Sequence, residues 1–191
     1  MNTMKAIESR RSIRKFKNEP VPQEIVRQIV EAAILAPSGK NKQPWRFVVV
    51  QGESREEMVR LMRGGIAKMK ESGEETGSSE WTAGIMEQAP VTIFVFHPDG
   101  VRPWLARSTD QNFSEVVDVQ STGAAIQNML LAAQELGVGS LWICDVFYAY
   151  EELCDWLGEK GAMIAAVSLG YAEEAPGPRP RKEFDDVVRW V

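Results

Sequence analysis

The chain has 191 residues, 44% hydrophobic and 26% charged, which suits a soluble globular protein with a core of ordinary size. Its 22 Lys and Arg against 27 Asp and Glu give a net charge of −5, which argues against a general nucleic-acid binder. No apolar run approaches a membrane span and no signal-like hydrophobic segment opens the chain, so the expectation is one cytoplasmic domain over residues 1–191.

Residues 2–8 suit a short opening helix that delivers a basic island. Residues 9–17 hold five cations and no acid. Pro22 fits the first turn of a second helix over 22–35, where Ile25, Ile29, Ala32, Ala33 and Ala36 recur at helical spacing. Residues 36–45 (APSGKNKQPW) then turn the chain, stiffened by two prolines, with amides, a hydroxyl and a carboxamide left for a ligand. By composition alone this is an ordinary connector into a strand at 46–51. Residues 55–69 read as a helix carrying Met58, Leu61, Met62 and Met69 on its apolar side, weakened at Gly64-Gly65.

Residues 71–80 (ESGEETGSSE) are polar and glycine-bearing and read as a mobile loop. The unbroken apolar run 91–96 marks a central strand covered on both faces. Residues 103–113 carry no clear pattern. A long helix is expected over 115–136, so apolar around Ala124–Ala133 that a subunit interface is a natural way to bury it. Gly137 and Gly139 close it ahead of a strand at 140–144, a helix at 151–157 and a buried strand at 162–169. The proline-rich tail 173–180 leads to 184–191, read as an edge strand or an arm laid on a partner. Helices and strands mix without a βαβ rhythm, which favours an α+β layer fold.

Side-chain chemistry is sparse. Cys144 and Cys154 do not make a disulfide framework, and His97, the single histidine, ends an apolar run and reads as structural. Nothing supplies a zinc ligand set, a Rossmann fingerprint or a P-loop. What remains is two arginine clusters at opposite ends of an acidic chain, 10–17 and 179–182. Guanidinium groups grip phosphate bidentately and a hydroxyl such as Ser12 adds a donor; the competing reading is solvated surface charge.

Arg10-Arg11-Ser12-Ile13-Arg14-Lys15-Phe16 followed by Ala36-Pro37-Ser38-Gly39-Lys40-Asn41-Lys42-Gln43-Pro44-Trp45 resembles the paired signature of the FMN-dependent nitroreductase family. Residues 125–133 with 136–140 are similar to that family's central helix and exit turn, and Gly170-Tyr171 with Pro178-Arg179-Pro180-Arg181 to its phosphate-binding arm. The resemblance implies a three-layer α/β/α sandwich with a mixed, mostly antiparallel sheet, forming an intertwined homodimer with FMN at each end of the interface. Arg10, Ser12 and Arg181 match phosphate-holding positions, with Arg11 and Arg179 beside them. Arg14 matches a cation near the flavin's pyrimidine edge. Pro37, Ser38 and Asn41 match residues reaching the other subunit's FMN, and Trp142, Ile143 and Cys144 a strand end lying against the ring.

The implied activity is ping-pong hydride transfer, with NADH or NADPH as transient reductant and a nitroaromatic, quinone or related small molecule as acceptor. The flavin carries that chemistry, so no catalytic side chain and no metal is expected, nor a nucleic-acid or membrane partner. Alternatives are another flavin reaction (reductive dehalogenation, flavin breakdown, dehydrogenation) or a non-enzymatic FMN-binding module. Two departures from the family pattern stand out. An Asn and a Lys that complete the flavin's polar edge have no evident counterpart in 69–83, and Asp145 stands where many members have glycine.

Overall fold

The computed structural model describes residues 2–191. Its centre is a sheet of β1 (Arg46–Gln51), β2 (Val91–His97), β3 (Gly139–Ile143) and β4 (Ala162–Gly170), in the order β1-β2-β4-β3. Pairings between these strands are antiparallel, and an isolated parallel bridge from Ser12 to Ser140 is added beside β3.

All seven residues of β2 are buried, because helices cover both faces of the sheet. Alternation along the strands feeds two cores. Val91, Ile93 and Val95 pack with Ala165, Val167 and Leu169 against α2 (Gln23–Ile34) and α5 (Thr109–Glu135). Phe94 and Phe96 join Leu141 and Ile143 beneath α3 (Ser54–Glu71), α4 (Ser79–Gln88) and α6 (Tyr150–Leu157). The architecture is therefore a three-layer α/β/α sandwich. A register shift after Val95 leaves Ile164 without a cross-strand partner, and this one-residue bulge puts Met163 into the same core as Phe96.

Local chemistry explains the helix limits. α2 buries Val26, Ile29 and Ala33, a stripe at three- and four-residue spacing. α5 starts at Thr109, earlier than its apolar pattern, because Ser108 and Gln111 form a capping box. Its C-terminal half buries Ala125, Ile126, Met129, Leu130 and Ala133 in the chain's own core, so the stretch expected to need a subunit interface is covered without one, whereas Phe113, Val116, Val117 and Val119 stand exposed nearer its N-terminus.

The segment expected to be a mobile loop is shorter than 71–80 and partly buried. α3 runs to Glu71, Thr76 and Ser79 are enclosed, and the unforeseen helix α4 begins at Ser79. Gly84 and the polar approach to α4 hide it from pattern reading. At the ends, α1 spans Thr3–Ser9, and the segment read as an edge strand or an arm begins with a four-residue helix, α7 (Phe184–Val187). Among the described residues, no helix is long and apolar enough to cross a membrane.

Candidate functional site

Two extended strips bring the chain's ends together at the β3 edge of the sheet. The amide of Ile13 donates to the Ser140 carbonyl at 3.0 Å, and that of Lys17 to the Tyr171 carbonyl at 2.9 Å. Phe16 bridges Ala172, and Glu173 N–H returns a bond to the Lys15 carbonyl at 2.9 Å. Ile13 and Phe16 point inward and are buried, which turns Ser12 and Arg14 toward the outside. Glu174 locks the pairing by accepting from the amides of both Arg14 and Lys15.

The outward side chains line a cavity of about 340 Å³. Arg10, Arg11, Ser12 and Arg14 come from the N-terminal strip, and Arg179 and Arg181 from the tail, with Glu8 also on the wall. Among the described residues, none of these five arginines lies within ion-pair distance of a carboxylate. Arg11 Nη1 donates instead to the carbonyls of Glu8 (2.6 Å) and Arg10 (2.9 Å), and Arg181 Nη1 to those of Pro180 (3.1 Å) and Arg179 (3.2 Å). Burial, then repulsion from Arg11 and Arg181, holds the Arg10 guanidinium below the usual arginine range. Such a set of crowded cations fits a dianionic phosphate, which relieves the repulsion and takes their fork-shaped donors.

A second arginine-rich cavity, of about 570 Å³ beside α3, makes the contrast. There Arg60 is paired with Glu57 at 2.5 Å and Arg63 with Glu87 at 2.7 Å, so two of its cations are already matched.

Trp142, Ile143 and Cys144, at the end of β3, are not among the residues lining the arginine cavity. Trp142 is 38% exposed and Cys144 is exposed, while Ile143 is turned into the core at 3%. Only the backbone of Ile143 is therefore available to a ligand on this side. Burial, and then the neighbouring Asp145, push the Cys144 thiol above its ordinary range, which does not favour a reactive thiolate. Asp145 itself faces α4. It accepts from Thr82 Oγ1 at 2.5 Å and from Ser78 Oγ at 3.2 Å, tying the start of α4 to the strand end. In the first turn of α4, the Trp81 ring lies 5.6 Å from the Arg14 guanidinium, in cation–π range.

Pro37, Ser38 and Asn41 do not line the arginine cavity. They belong to the α2–β1 connection, which is fastened to α5. Gly39 N–H donates to Ser121 Oγ at 3.3 Å, Thr122 Oγ1 to the Pro44 carbonyl at 3.4 Å, and Lys42 Nζ to Asp118 Oδ2 at 2.5 Å. Within the turn, Ser38 Oγ accepts from the Gln43 amide at 2.9 Å. Lys40, Asn41 and Gln43 all adopt positive φ (53°, 55° and 51°), a left-handed conformation that only the asparagine tolerates easily.

Behind this loop His97 is 2% exposed. Its Nε2 lies 3.3 Å from Asp118 Oδ2 and its Nδ1 3.8 Å from Glu115 Oε1, neither in hydrogen-bond geometry. The histidine is a buried packing element beneath the loop, away from the arginine cavity.

Sequence reasoning passed over Glu174, Thr82 and Trp81. Glu174 reads as one more acid in a proline-rich tail, and the other two fall in a helix whose pattern was not legible.

A family model described as the nitroreductase family matches residues 7–171. An Archaeoglobus fulgidus protein, provisionally named an NADH dehydrogenase/NAD(P)H nitroreductase, is 33% identical over 187 residues, covering 95% of this chain and 88% of its own. A Bacillus subtilis protein provisionally named an NAD(P)H nitroreductase is 29% identical over 183 residues, covering 94% and 89%. Among solved structures, a protein of Desulfovibrio desulfuricans, provisionally named a nitroreductase and crystallised with FMN, aligns over 100% of this chain and 97% of its own. Its TM-score is 0.77 at 29% identity.

Proposed function

The chain belongs to the nitroreductase family, and from that premise we propose that it is an FMN-dependent oxidoreductase that draws electrons from NAD(P)H to reduce a small acceptor such as a nitroaromatic or a quinone. The observation that carries this reading is the cavity where Arg10, Arg11, Ser12, Arg179 and Arg181 converge without a carboxylate partner. Relatives named as NAD(P)H nitroreductases and a similar fold crystallised with FMN support it.

In this reading Arg10, Ser12 and Arg181 hold the phosphate, and Arg11 and Arg179 complete its positive surround. Arg14, on the same wall, keeps a fixed cation at the pyrimidine edge, where two-electron reduction places negative charge. The strand end at Trp142, Ile143 and Cys144 backs the ring, with the Cys144 backbone rather than its thiol as the donor. Bound FMN supplies hydride transfer in two alternating half-reactions, the reductant leaving before the acceptor enters. Pro37, Ser38 and Asn41, remote from the cavity of their own chain, serve the cofactor of a second subunit. The bare apolar residues of α5, Phe113, Val116 and Val117, form part of that homodimer contact.

Purified protein is expected to be yellow, or to become so with added FMN, and to bleach on anaerobic titration with NADH or NADPH. Protein that neither retains nor takes up FMN sinks the proposal. Bound FMN that neither nucleotide reduces points to a binding module instead. Arg10→Ala is expected to weaken FMN binding about tenfold or more, as loss of a charge-assisted contact to phosphate does; an unchanged dissociation constant refutes the phosphate assignment.

A further inference from the structure

We propose that Trp81 is a positioning residue for Arg14 and thereby helps to set the reduction potential of the bound flavin. The inference rests on the reading above, in which Arg14 stands at the flavin's pyrimidine edge, and it adds a residue that the paired N-terminal motifs do not contain.

The geometry around Arg14 points this way. Its amide is fixed by Glu174, and its Nη1 donates to the Ser12 carbonyl at 3.2 Å. The indole of Trp81 lies 5.6 Å away and provides a face for the guanidinium. Arginine has considerable rotamer freedom, and a guanidinium anchored through Nη1 alone can still swing about that bond. The indole face limits the swing and leaves the remaining N–H groups free to face the cavity that Arg14 lines. Trp81 is 59% exposed, so burying its own surface is not what its position achieves.

The aromatic shelf is itself held in place. Asp145, next to Cys144, accepts from Ser78 and Thr82 and so fixes the first turn of α4, which carries Trp81. The carboxylate therefore acts as a tether for α4. Negative charge appears on the flavin edge only on reduction, so a cation held in place favours the reduced over the oxidised form.

The test compares wild type, Trp81→Phe and Trp81→Leu, each reconstituted with FMN, by anaerobic redox titration and by the dissociation constant of oxidised FMN. Cation–π contacts at partly exposed sites imply a roughly two- to fivefold loss of preference for the reduced flavin in Trp81→Leu. At about 30 mV per tenfold for a two-electron couple, that is a potential lower by about 10 to 20 mV. Oxidised FMN is expected to bind within about twofold of wild type, and Trp81→Phe to recover at least half of the shift. In an Arg14→Gln background, Trp81→Leu is expected to have no further effect.

A wild-type potential in Trp81→Leu overturns the proposal. So does a phenylalanine variant as low as the leucine variant, or an equal shift with Arg14 already removed. Each of these results is read on protein that binds FMN. Failure of the wild type to bind FMN, by contrast, sinks the underlying functional reading.

Discussion

The bond between Lys42 and Asp118 allows a test in which the more exposed partner matters more. The carboxylate of Asp118 is 3% exposed and the lysine side chain 41%, at 2.5 Å separation. In Lys42→Met the carboxylate stays buried with its ammonium partner gone, and His97 at 3.3 Å is outside hydrogen-bond geometry. Removing one partner of a buried pair in this way costs about 3–5 kcal/mol. In Asp118→Asn the buried charge disappears with its desolvation cost, the shape is kept, and an amide oxygen still faces the lysine. That exchange should cost no more than a neutral hydrogen bond, about 0.5–1.5 kcal/mol.

For a chain of this length, 1 kcal/mol corresponds to roughly 2–4 °C in Tm. Lys42→Met is therefore expected to lose at least about 6 °C and Asp118→Asn at most about 6 °C. The assay is urea unfolding and thermal melting of flavin-free protein at one fixed chain concentration, since ligand and assembly both shift apparent stability. The m-value should not change. If Lys42→Met proves as mild as Asp118→Asn, the carboxylate is effectively solvated and the reasoning about a buried tether fails. A second readout follows from the positive φ of Lys40, Asn41 and Gln43, a conformation that persists only while its surroundings impose it. Releasing the tether should make residues 38–43 the first site of proteolytic nicking.

Adjacent glycines of α3 should respond in opposite directions. A Cβ on Gly65 would come within 2.4 Å of Ala149 Cα and 2.7 Å of the Tyr148 carbonyl oxygen, whereas one on Gly64 meets nothing within 4 Å. Gly65→Ala should cost about 1–3 kcal/mol and Gly64→Ala should gain about 0.5–1 kcal/mol by denaturant titration; matching effects would refute this packing. Burial pushes the Tyr150 phenol up to about 12 from an ordinary 10, against the hydrogen bond it accepts from the Met163 amide at 2.7 Å. The neutral form is favoured by folding, so this stability is intact below pH 10 and drains away as pH rises from 10 toward 12. Tyr150→Phe, though weaker at neutral pH for want of the Met163 bond, should show a flatter stability profile across that window. Finally, Cys154 is 0% exposed with its thiol pushed up to about 12, while Cys144 is exposed. Native protein at pH 8 should yield one slowly reacting thiol, with the second appearing only on unfolding.

How much of this was legible in the sequence depended on whether one local pattern decided the matter. Val91 to Phe96 reads as a central strand because covering both faces demands an unbroken apolar run, and β2 is buried throughout. The stripe expected on α2 keeps Ile29, Ala33 and Ala36, but Val26 rather than Ile25 is buried in its first turn, and Ile25 and Ala32 are only half-buried. α4 did not declare itself. Its buried Ser79 and Thr82 look like surface residues, and burying Thr82 depends on a bond to Asp145, 63 positions away. The segment 184–191, read as an edge strand or an arm laid on a partner, opens instead with the short helix α7, and no strand pairing among the described residues includes it. Asp145, the one of the two departures from the family pattern that the structure explains, is of this long-range kind. No sequence spacing relates Trp81 to Arg14 or Asp145 to Ser78, and only the fold brings them together.

The arginine cavity shows how like charges are held together without an anion. Like charges at Arg10, Arg11 and Arg181 repel, so electrostatics alone would drive the two ends of the chain apart. They are held by backbone pairing that needs no anion: Ile13 to Ser140, Lys17 to Tyr171, Glu173 to Lys15, and Glu174 across the amides of Arg14 and Lys15. Ile13 and Phe16 add buried anchors on the same strip, each contributing on the order of 2 kcal/mol. The repulsion is thus offset by the sheet and its margin before any phosphate arrives. In the proposed reading a phosphate would meet cations whose positions are already set, so little of its binding energy would be spent on ordering the chain. The same logic applies to the loop at Ser38 and Asn41, whose left-handed turn is imposed by α5 through Asp118, Ser121 and Thr122. Both the arginine cavity and this loop borrow their rigidity from elements that bury apolar surface, so the exposed or half-buried arginines and Asn41 are positioned without having to form a core themselves.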